Sequence, residues 1–135
     1  YGSFLIRGSL IVPTANTIKF IDPTLPIVGV TGTTFTYNAV TGIVTFNTGG
    51  DYLVSYGAQT TTSGGAITLR INGVTSGSSI IASSVTTRNW ITNIVIIRVA
   101  AGDTLDIFNA TGTNLQLSSV GATFTSAYLN IVQLQ

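Results

Sequence analysis

The sequence predicts an all-β domain, a sandwich or barrel of short strands. Three observations carry that expectation. No window holds apolar residues at the 3.6-residue spacing of a helix, so helices should be nearly absent. Short runs of β-branched and aromatic residues recur between Gly, Asn, Asp and Pro clusters. From Ala66 to Ile71, Ile67, Leu69 and Ile71 alternate with Thr68 and Arg70, the period-two pattern of a strand wet on one face. The 135 residues fit one domain, 1–135, and a chain of this length buries roughly two-thirds of its unfolded surface without a covalent staple.

In chain order, Phe4, Ile6, Leu10 and Val12 share one face of a first strand, with Arg7 and Ser9 on the other. Pro13 to Asn16 is a turn. Thr17 to Ile21 is a short strand closed by Asp22-Pro23, and Pro23 and Pro26 keep the next segment out of a central strand. Val28 to Val30 and Thr33 to Tyr37 read as strands, and Asn38 to Gly42 as a turn. The stretch Thr41 to Tyr56, TGIVTFNTGGDYLVSY, organises the rest and reads as a hairpin. Ile43 to Phe46 and Tyr52 to Tyr56 suit a pleated surface, and Asn47 to Asp51 are turn formers. Thr60 to Gly65 is a polar loop. After Ala66 to Ile71, Asn72-Gly73 is a strong hairpin-turn signal. Ser79 to Val85 is a weaker strand and Asn89 to Val99 a long apolar one. Strands at Thr104 to Phe108, Leu115 to Ser118 and Phe124 to Leu134 complete the chain, with a turn at Ala100 to Asp103 and a loop at Asn109 to Asn114.

Four of these stretches resemble a known family. The spacing of Phe46, Gly50 and Tyr52 resembles the globular head of complement and collagen-like proteins, a tumour-necrosis-factor-like domain. NIVIIRVAAGDTLDI, from Asn93 to Ile107, is similar to that family's pair of apolar strands around Gly-Asp, with Gly102 and Asp103 at the matching positions. GGAITLRINGV (Gly64 to Val74) and TSAYLNI (Thr125 to Ile131) are most similar to the C-terminal head of the collagen-like glycoprotein of Bacillus spore exosporium. The resemblance covers nearly all of the chain from Thr34 onward. Ala127 stands where animal complement heads carry a second aromatic residue, which favours a bacterial or phage relative. The resemblance implies a two-sheet, ten-stranded jelly-roll sandwich that assembles as a homotrimer. It also implies a Gly-X-Y collagen-like stalk preceding Tyr1, and an extracellular, spore-surface or cell-surface location. Tyr1-Gly2-Ser3-Phe4 lacks the basic and apolar regions of a signal peptide and looks like the start of a fragment.

Composition narrows the chemistry. Histidine and cysteine are absent, which removes Ser-His-Asp and Cys-His machinery and any soft-ligand zinc site. Glycoside hydrolysis needs two carboxylates flanking one bond. Only Asp22, Asp51, Asp103 and Asp106 are available; Asp51 and Asp103 read as turn residues, and Asp103 and Asp106 point to opposite faces of a strand. The expectation is therefore no enzyme, no cofactor and no metal. Some members of the resembled family carry calcium near the trimer axis, but no acidic cluster supports that in this sequence. Arg7, Lys19, Arg70, Arg88 and Arg98 are dispersed and the net charge is +1, which leaves no nucleic-acid footprint. No apolar run approaches the length of a membrane-spanning helix. Asn109-Ala110-Thr111 fits a glycosylation sequon by its letters.

Two strands carry more apolar surface than one sandwich interior can take. Val95, Ile97 and Val99 make one face of their strand, yet Ile94 and Ile96 lie on the other beside Arg98. Tyr52, Val54 and Tyr56 face one way and Leu53 the other. Surplus apolar faces point to contact between identical chains. The expected trimer-interface residues are Ile94, Ile96, Tyr52, Tyr56 and Tyr128. Trp90 and Arg88 are the candidate ligand contacts: Trp90 suits a rim or subunit contact, and a ring with donors beside it also suits stacking on a sugar. The leading expectation is a non-enzymatic trimeric head of a collagen-like surface filament, driving assembly and displaying the tip. The alternative is the receptor- or glycan-binding tip of a phage fibre or adhesin, with a host surface protein or glycan as partner.

Overall fold

The computed structural model describes residues 1–20, 32–82, 89–121 and 123–135. Eleven strands run in order: β1 Gly2–Arg7, β2 Leu10–Val12, β3 Phe35–Asn38, β4 Ile43–Phe46, β5 Gly50–Thr60, β6 Ala66–Ile71, β7 Val74–Ala82, β8 Asn89–Val99, β9 Thr104–Asn109, β10 Leu115–Leu117 and β11 Thr125–Gln133. No helix occurs among the described residues, and none there is long and apolar enough to cross a membrane. In the first sheet β1, β11, β5 and β8 lie side by side, and β10 and β2 continue it beside the end of β5. The second sheet runs β3-β4-β9-β6-β7. All pairings are antiparallel.

Alternation explains the sandwich. Phe4 and Ile6 of β1, Tyr52, Val54 and Tyr56 of β5, and Leu129 and Ile131 of β11 turn inward from the first sheet. Phe35, Val44, Phe46, Ile67, Leu69, Leu105 and Ile107 meet them from the second. The rings of Phe46 and Tyr52 touch across the interior with centroids 4.6 Å apart. Burying an aromatic or large aliphatic side chain contributes about 1.5–3 kcal/mol, so this layer supplies the main favourable term.

Several expectations need correction. Thr41 to Tyr56 is not a hairpin: β4 belongs to the second sheet and β5 to the first. The backbone of Phe46 bonds to Asp103 and Gly102, and the N–H groups of Asn47 and Thr48 donate to Thr34 O. These bonds carry the chain across the sandwich instead of back along β4. The expected first strand is two, broken at Gly8–Ser9, and Leu10 is exposed rather than buried. Thr68 is buried, not wet. Its cross-strand partner is Phe108, and the Arg70 guanidinium lies 3.9 Å from the centre of that ring. Asp51 is a strand residue, not a turn residue. Thr17 makes only an isolated bridge, to Phe108, although Ile18 and Phe20 are buried. β7 starts at Val74, directly after the Asn72-Gly73 turn, where both residues have positive φ (51° and 76°) as the tightest hairpin turn requires. The strand expected at Val28 to Val30, and Ile21, Val85 and Arg88, lie outside the described residues.

Candidate functional site

With the inner face of the first sheet filled, its outer face lies open among the described residues. Register sets what appears there. Ser3, Asn130, Ser55 and Ile94 form one row across β1, β11, β5 and β8. Val132, Leu53 and Ile96 form the next, and Asp51 and Arg98 the last. In the opposite direction Leu5, Tyr128, Gly57 and Thr92 make a row, followed by Gln59 beside Trp90.

Ile94 and Ile96 are 62% and 67% exposed, while Val95 and Ile97, which alternate with them, pack against the core. Val132 is exposed and Leu53 half-buried, so a stripe of aliphatic surface crosses three strands. Arg98 closes the stripe with a bidentate ion pair to Asp51, at 2.6 and 2.7 Å. The Arg98 hydrogen bond holds the Asp51 carboxyl below its ordinary value, and Asp51 raises Arg98 in return.

The other end of this face differs. Tyr128 is half-buried, and its ring lies 6.0 Å from that of Trp90, which is 40% exposed. Gly57 makes the seat: a Cβ there would stand 2.8 Å from Tyr128 Cε1 and 2.9 Å from Thr92 Cγ2, so a side chain would push these neighbours aside. Ser55, Thr92, Asn93, Ile94 and Tyr128 line a shallow cleft of about 320 Å³ beside this pair.

Of the expected interface residues, Ile94, Ile96 and Tyr128 reach this outer face. Tyr52 and Tyr56 do not: both are fully buried in the chain's own core, and the Tyr52 hydroxyl donates to Thr48 O at 2.8 Å. They are removed from the interface set, because the register of β5 against β11 and β8 turns its tyrosine face inward. Leu53, Ser55 and Val132, absent from that set, join the outer face, and strand alternation identifies them once the inner face is known. Trp90 is on the surface, and Arg88 lies outside the described residues.

The charged groups elsewhere serve the fold. Asp106 is buried and accepts hydrogen bonds from Arg70 and Thr17. Asp103 accepts from Asn72 Nδ2 at 2.8 Å and from Ala100 N–H at 2.7 Å. These bonds, the Asn72 one foremost, hold its carboxyl below the ordinary range. Among the described residues no group of three acidic side chains comes together that could hold a metal ion. Asn109 is fully buried. Its Nδ2 lies within hydrogen-bonding distance of the carbonyls of Val12, Pro13 and Thr113, at 3.1, 3.1 and 2.9 Å. That nitrogen is engaged in the folded chain, so the sequon describes a structural amide.

Two sheets of this order, with an open outer face on the sheet holding the first and last strands, define a tumour-necrosis-factor-like jelly roll. Solved structures agree. Eiger TNF from S. frugiperda superposes with a TM-score of 0.76 at 18% identity, over 99% of this chain and 91% of that one. The globular domain of zebrafish complement 1qA protein gives 0.60 at 13% identity, over 100% and 98%. Murine APRIL gives 0.59 at 16%, over 98% of each. The family model of the BclA C-terminal domain matches residues 10–135, and the chain belongs to that family, the heads of exosporium collagen-like proteins. No curated protein matches it at the level of sequence.

Proposed function

We propose that this domain is the non-enzymatic head of a collagen-like surface filament, in which three copies join through the outer face of the first sheet and display the filament tip. The observation that carries it is the pair Ile94 and Ile96, more than 60% exposed on a long, paired strand of the first sheet. Isolated exposed aliphatics are ordinary, but here they continue across Leu53 and Val132 as one stripe, on a sheet whose β8 has no second partner strand among the described residues. A closed ring of identical chains covers both the stripe and that strand. Membership of the BclA C-terminal domain family supports a homotrimer, a preceding stalk and a place on the exosporium or a comparable bacterial surface. The pole where Gly2 pairs with Ile131 suits the stalk, because a chain entering there leaves the Trp90 end of the sheet facing away. The partners in this reading are further copies of the chain and its own stalk; nucleic acid and membrane insertion play no part.

Ile96→Asp tests the reading. A carboxylate at the centre of the seam costs several kcal/mol per subunit, repeated at each contact. Light scattering on a sizing column is expected to show trimers for the wild type and monomers for Ile96→Asp. Thr36→Asp, on the exposed face of β3 in the other sheet, leaves the trimer intact. A monomeric wild type, or a trimer unmoved by Ile96→Asp, refutes it.

A further inference from the structure

We infer that Asn72 is a modification site of the folded chain, converted by spontaneous deamidation at a rate set by its contacts with Asp103 and Thr104. Asn72 is the only asparagine in the sequence followed by glycine. The reaction is internal and consumes only water. The Gly73 nitrogen gives up its proton and bonds to Asn72 Cγ, the Cγ–Nδ2 bond breaks, and Nδ2 leaves as ammonia. Water then opens the cyclic imide at one of its two carbonyls, leaving aspartate or isoaspartate. Glycine favours the first step because no side chain shields its nitrogen. Asn72 and Gly73 are both exposed, and a Cβ built on Gly73 would meet nothing within 4 Å. Water and the moving amide therefore have room.

The fold holds this amide back. Asn72 Nδ2 donates to Asp103 Oδ1 at 2.8 Å, and Asn72 Oδ1 accepts the Thr104 N–H at 2.9 Å. Both ends of the amide thus reach across to the start of β9. The Asn72 N–H donates to Thr104 O, at 2.9 Å, on the same side. The backbone adds a restraint of its own, since φ values of 51° and 76° fix the two residues in the tight turn where Ile71 pairs with Val74. Closing the imide means swinging Cγ onto the Gly73 nitrogen, which breaks both side-chain bonds. Two such bonds slow the step roughly ten- to thirtyfold against an open chain.

The product does not fit the clamp that held the reactant. An aspartate at this position keeps the Thr104 bond and turns its second oxygen on Asp103 Oδ1, so a like charge replaces a donor. Asp103 loses the contact that does most to hold its carboxyl low. Isoaspartate fits worse, because it routes the main chain through Cγ and lengthens a two-residue turn by one carbon. The clamp ties the turn between β6 and β7 to the turn between β8 and β9. Deamidation loosens that corner irreversibly and takes the formal net charge from +1 to zero. The corner works as a timer, its state recording how long the folded chain has stood in water. β6, β7 and β9 belong to the second sheet, so the inference does not depend on how copies of the chain meet.

The protein as purified is incubated at mildly alkaline pH beside the same protein unfolded in guanidinium chloride. Samples are then denatured and digested with trypsin. The peptide from Ile71 to Arg88 carries Asn72 as its only asparagine, so its mass gain and its isoaspartate content, read by enzymatic methylation, give the rate. In the folded wild type, product is expected at Asn72 before any other asparagine, at least about tenfold more slowly than in the unfolded chain. Asp103→Ala, shown to be folded by circular dichroism, converts severalfold faster than folded wild type. Asp103→Asn, which keeps one acceptor oxygen, falls between the two and carries the comparison should Asp103→Ala not fold. Asp51→Ala removes a carboxylate that pairs with Arg98 instead, and leaves the rate unchanged. Asn72→Asp, standing for the product, has a lower thermal midpoint than either wild type or Asn72→Ser. The inference is overturned by equal rates in folded and unfolded chains, by another asparagine converting first, by a folded Asp103 variant that reacts no faster than wild type, or by an Asn72→Asp chain as stable as wild type.

Discussion

Replacing Asn109 by aspartate exchanges two atoms of similar size and reverses the chemistry of a buried site. The amide nitrogen faces three carbonyl oxygens at 2.9 to 3.1 Å, and Oδ1 accepts the Thr111 N–H at 2.9 Å. Those carbonyls belong to Val12, Pro13 and Thr113, so one side chain ties the end of β2 to the loop after β9. A carboxylate keeps the Thr111 bond and turns its second oxygen on three acceptors. Two donor hydrogens are lost at about 1 kcal/mol each, and leaving buried acceptors unsatisfied adds roughly 1–3 kcal/mol. The expected loss is about 3–5 kcal/mol at neutral pH, a large part of the stability of a domain this size. Protonation returns one O–H donor. The new carboxyl is therefore held above its ordinary value in the folded chain, and the penalty grows as pH rises from the acid range towards neutrality. Urea unfolding of variant and wild type, at one protein concentration, at pH 4.5 and at pH 7, gives the difference directly. Asn109→Ala, with no charge to titrate, is expected to lose about 2–4 kcal/mol equally at both. An aspartate variant within 1 kcal/mol of wild type at pH 7, or a penalty that does not shrink in acid, refutes the reading of Asn109 as a committed donor.

Three further outcomes follow from the charges. Asp51 and Asp103 are held below the ordinary value of 3.8 in the folded chain, so the unfolded chain takes up protons first. Their contribution is complete above that value and is lost as pH falls through the lower folded values; with no histidine in the chain, thermal midpoints should stay level from about pH 5 to 8 and drop below about pH 4. A midpoint that already falls between pH 7 and pH 5 contradicts this. Trypsin should leave Arg70 and Arg98 uncut in the native protein, because both lie in paired strands and cleavage needs local opening; early fragments ending at either residue, identified by mass, would show that β6 or β8 opens readily. EDTA should leave the thermal midpoint unchanged, and a fall of more than about 5 °C, roughly 1 kcal/mol, would reveal a structural metal.

Local pattern reached far into this fold and stopped where the partner strand decides. Asn89 to Val99 forms a strand over its full length, and Asn72-Gly73 makes its hairpin turn, because both are written in neighbouring residues. Asn47 to Asp51 have equally good turn chemistry, yet they change sheets: a turn motif fixes how the chain bends, not which strand it meets next. Alternation divided β5 into Tyr52, Val54 and Tyr56 against Leu53 and Ser55, but the choice of inner face came from the strands on either side. The same gap removed Tyr52 and Tyr56 from the candidate interface and left Ile94 and Ile96 in it. Thr68 shows the reverse, a polar residue on an outer face that Phe108 and Arg70 cover. The aromatic pair was half legible. Trp90 stood out as a lone ring among donors, while its pairing with Tyr128 over Gly57 needed the register of three strands.

The pairing of β1 with β11, with β11 in turn lying between β1 and β5, has a consequence for how the protein is made. Gly2 meets Ile131, so the first strand of this domain waits for its last before their sheet can close. Such distant pairings make folding slow. Until β11 arrives, Tyr52, Val54 and Tyr56 of β5 and Phe4 and Ile6 of β1 lack a cover, and nascent chains on one polysome carry these surfaces side by side. The scarcity of charge, 7% of residues, gives little repulsion to keep them apart. The arrival of β11 thus sets the moment at which the domain becomes able to fold and to find its companions. Loss of even the last strand at a premature stop would leave an adhesive intermediate, not a smaller head.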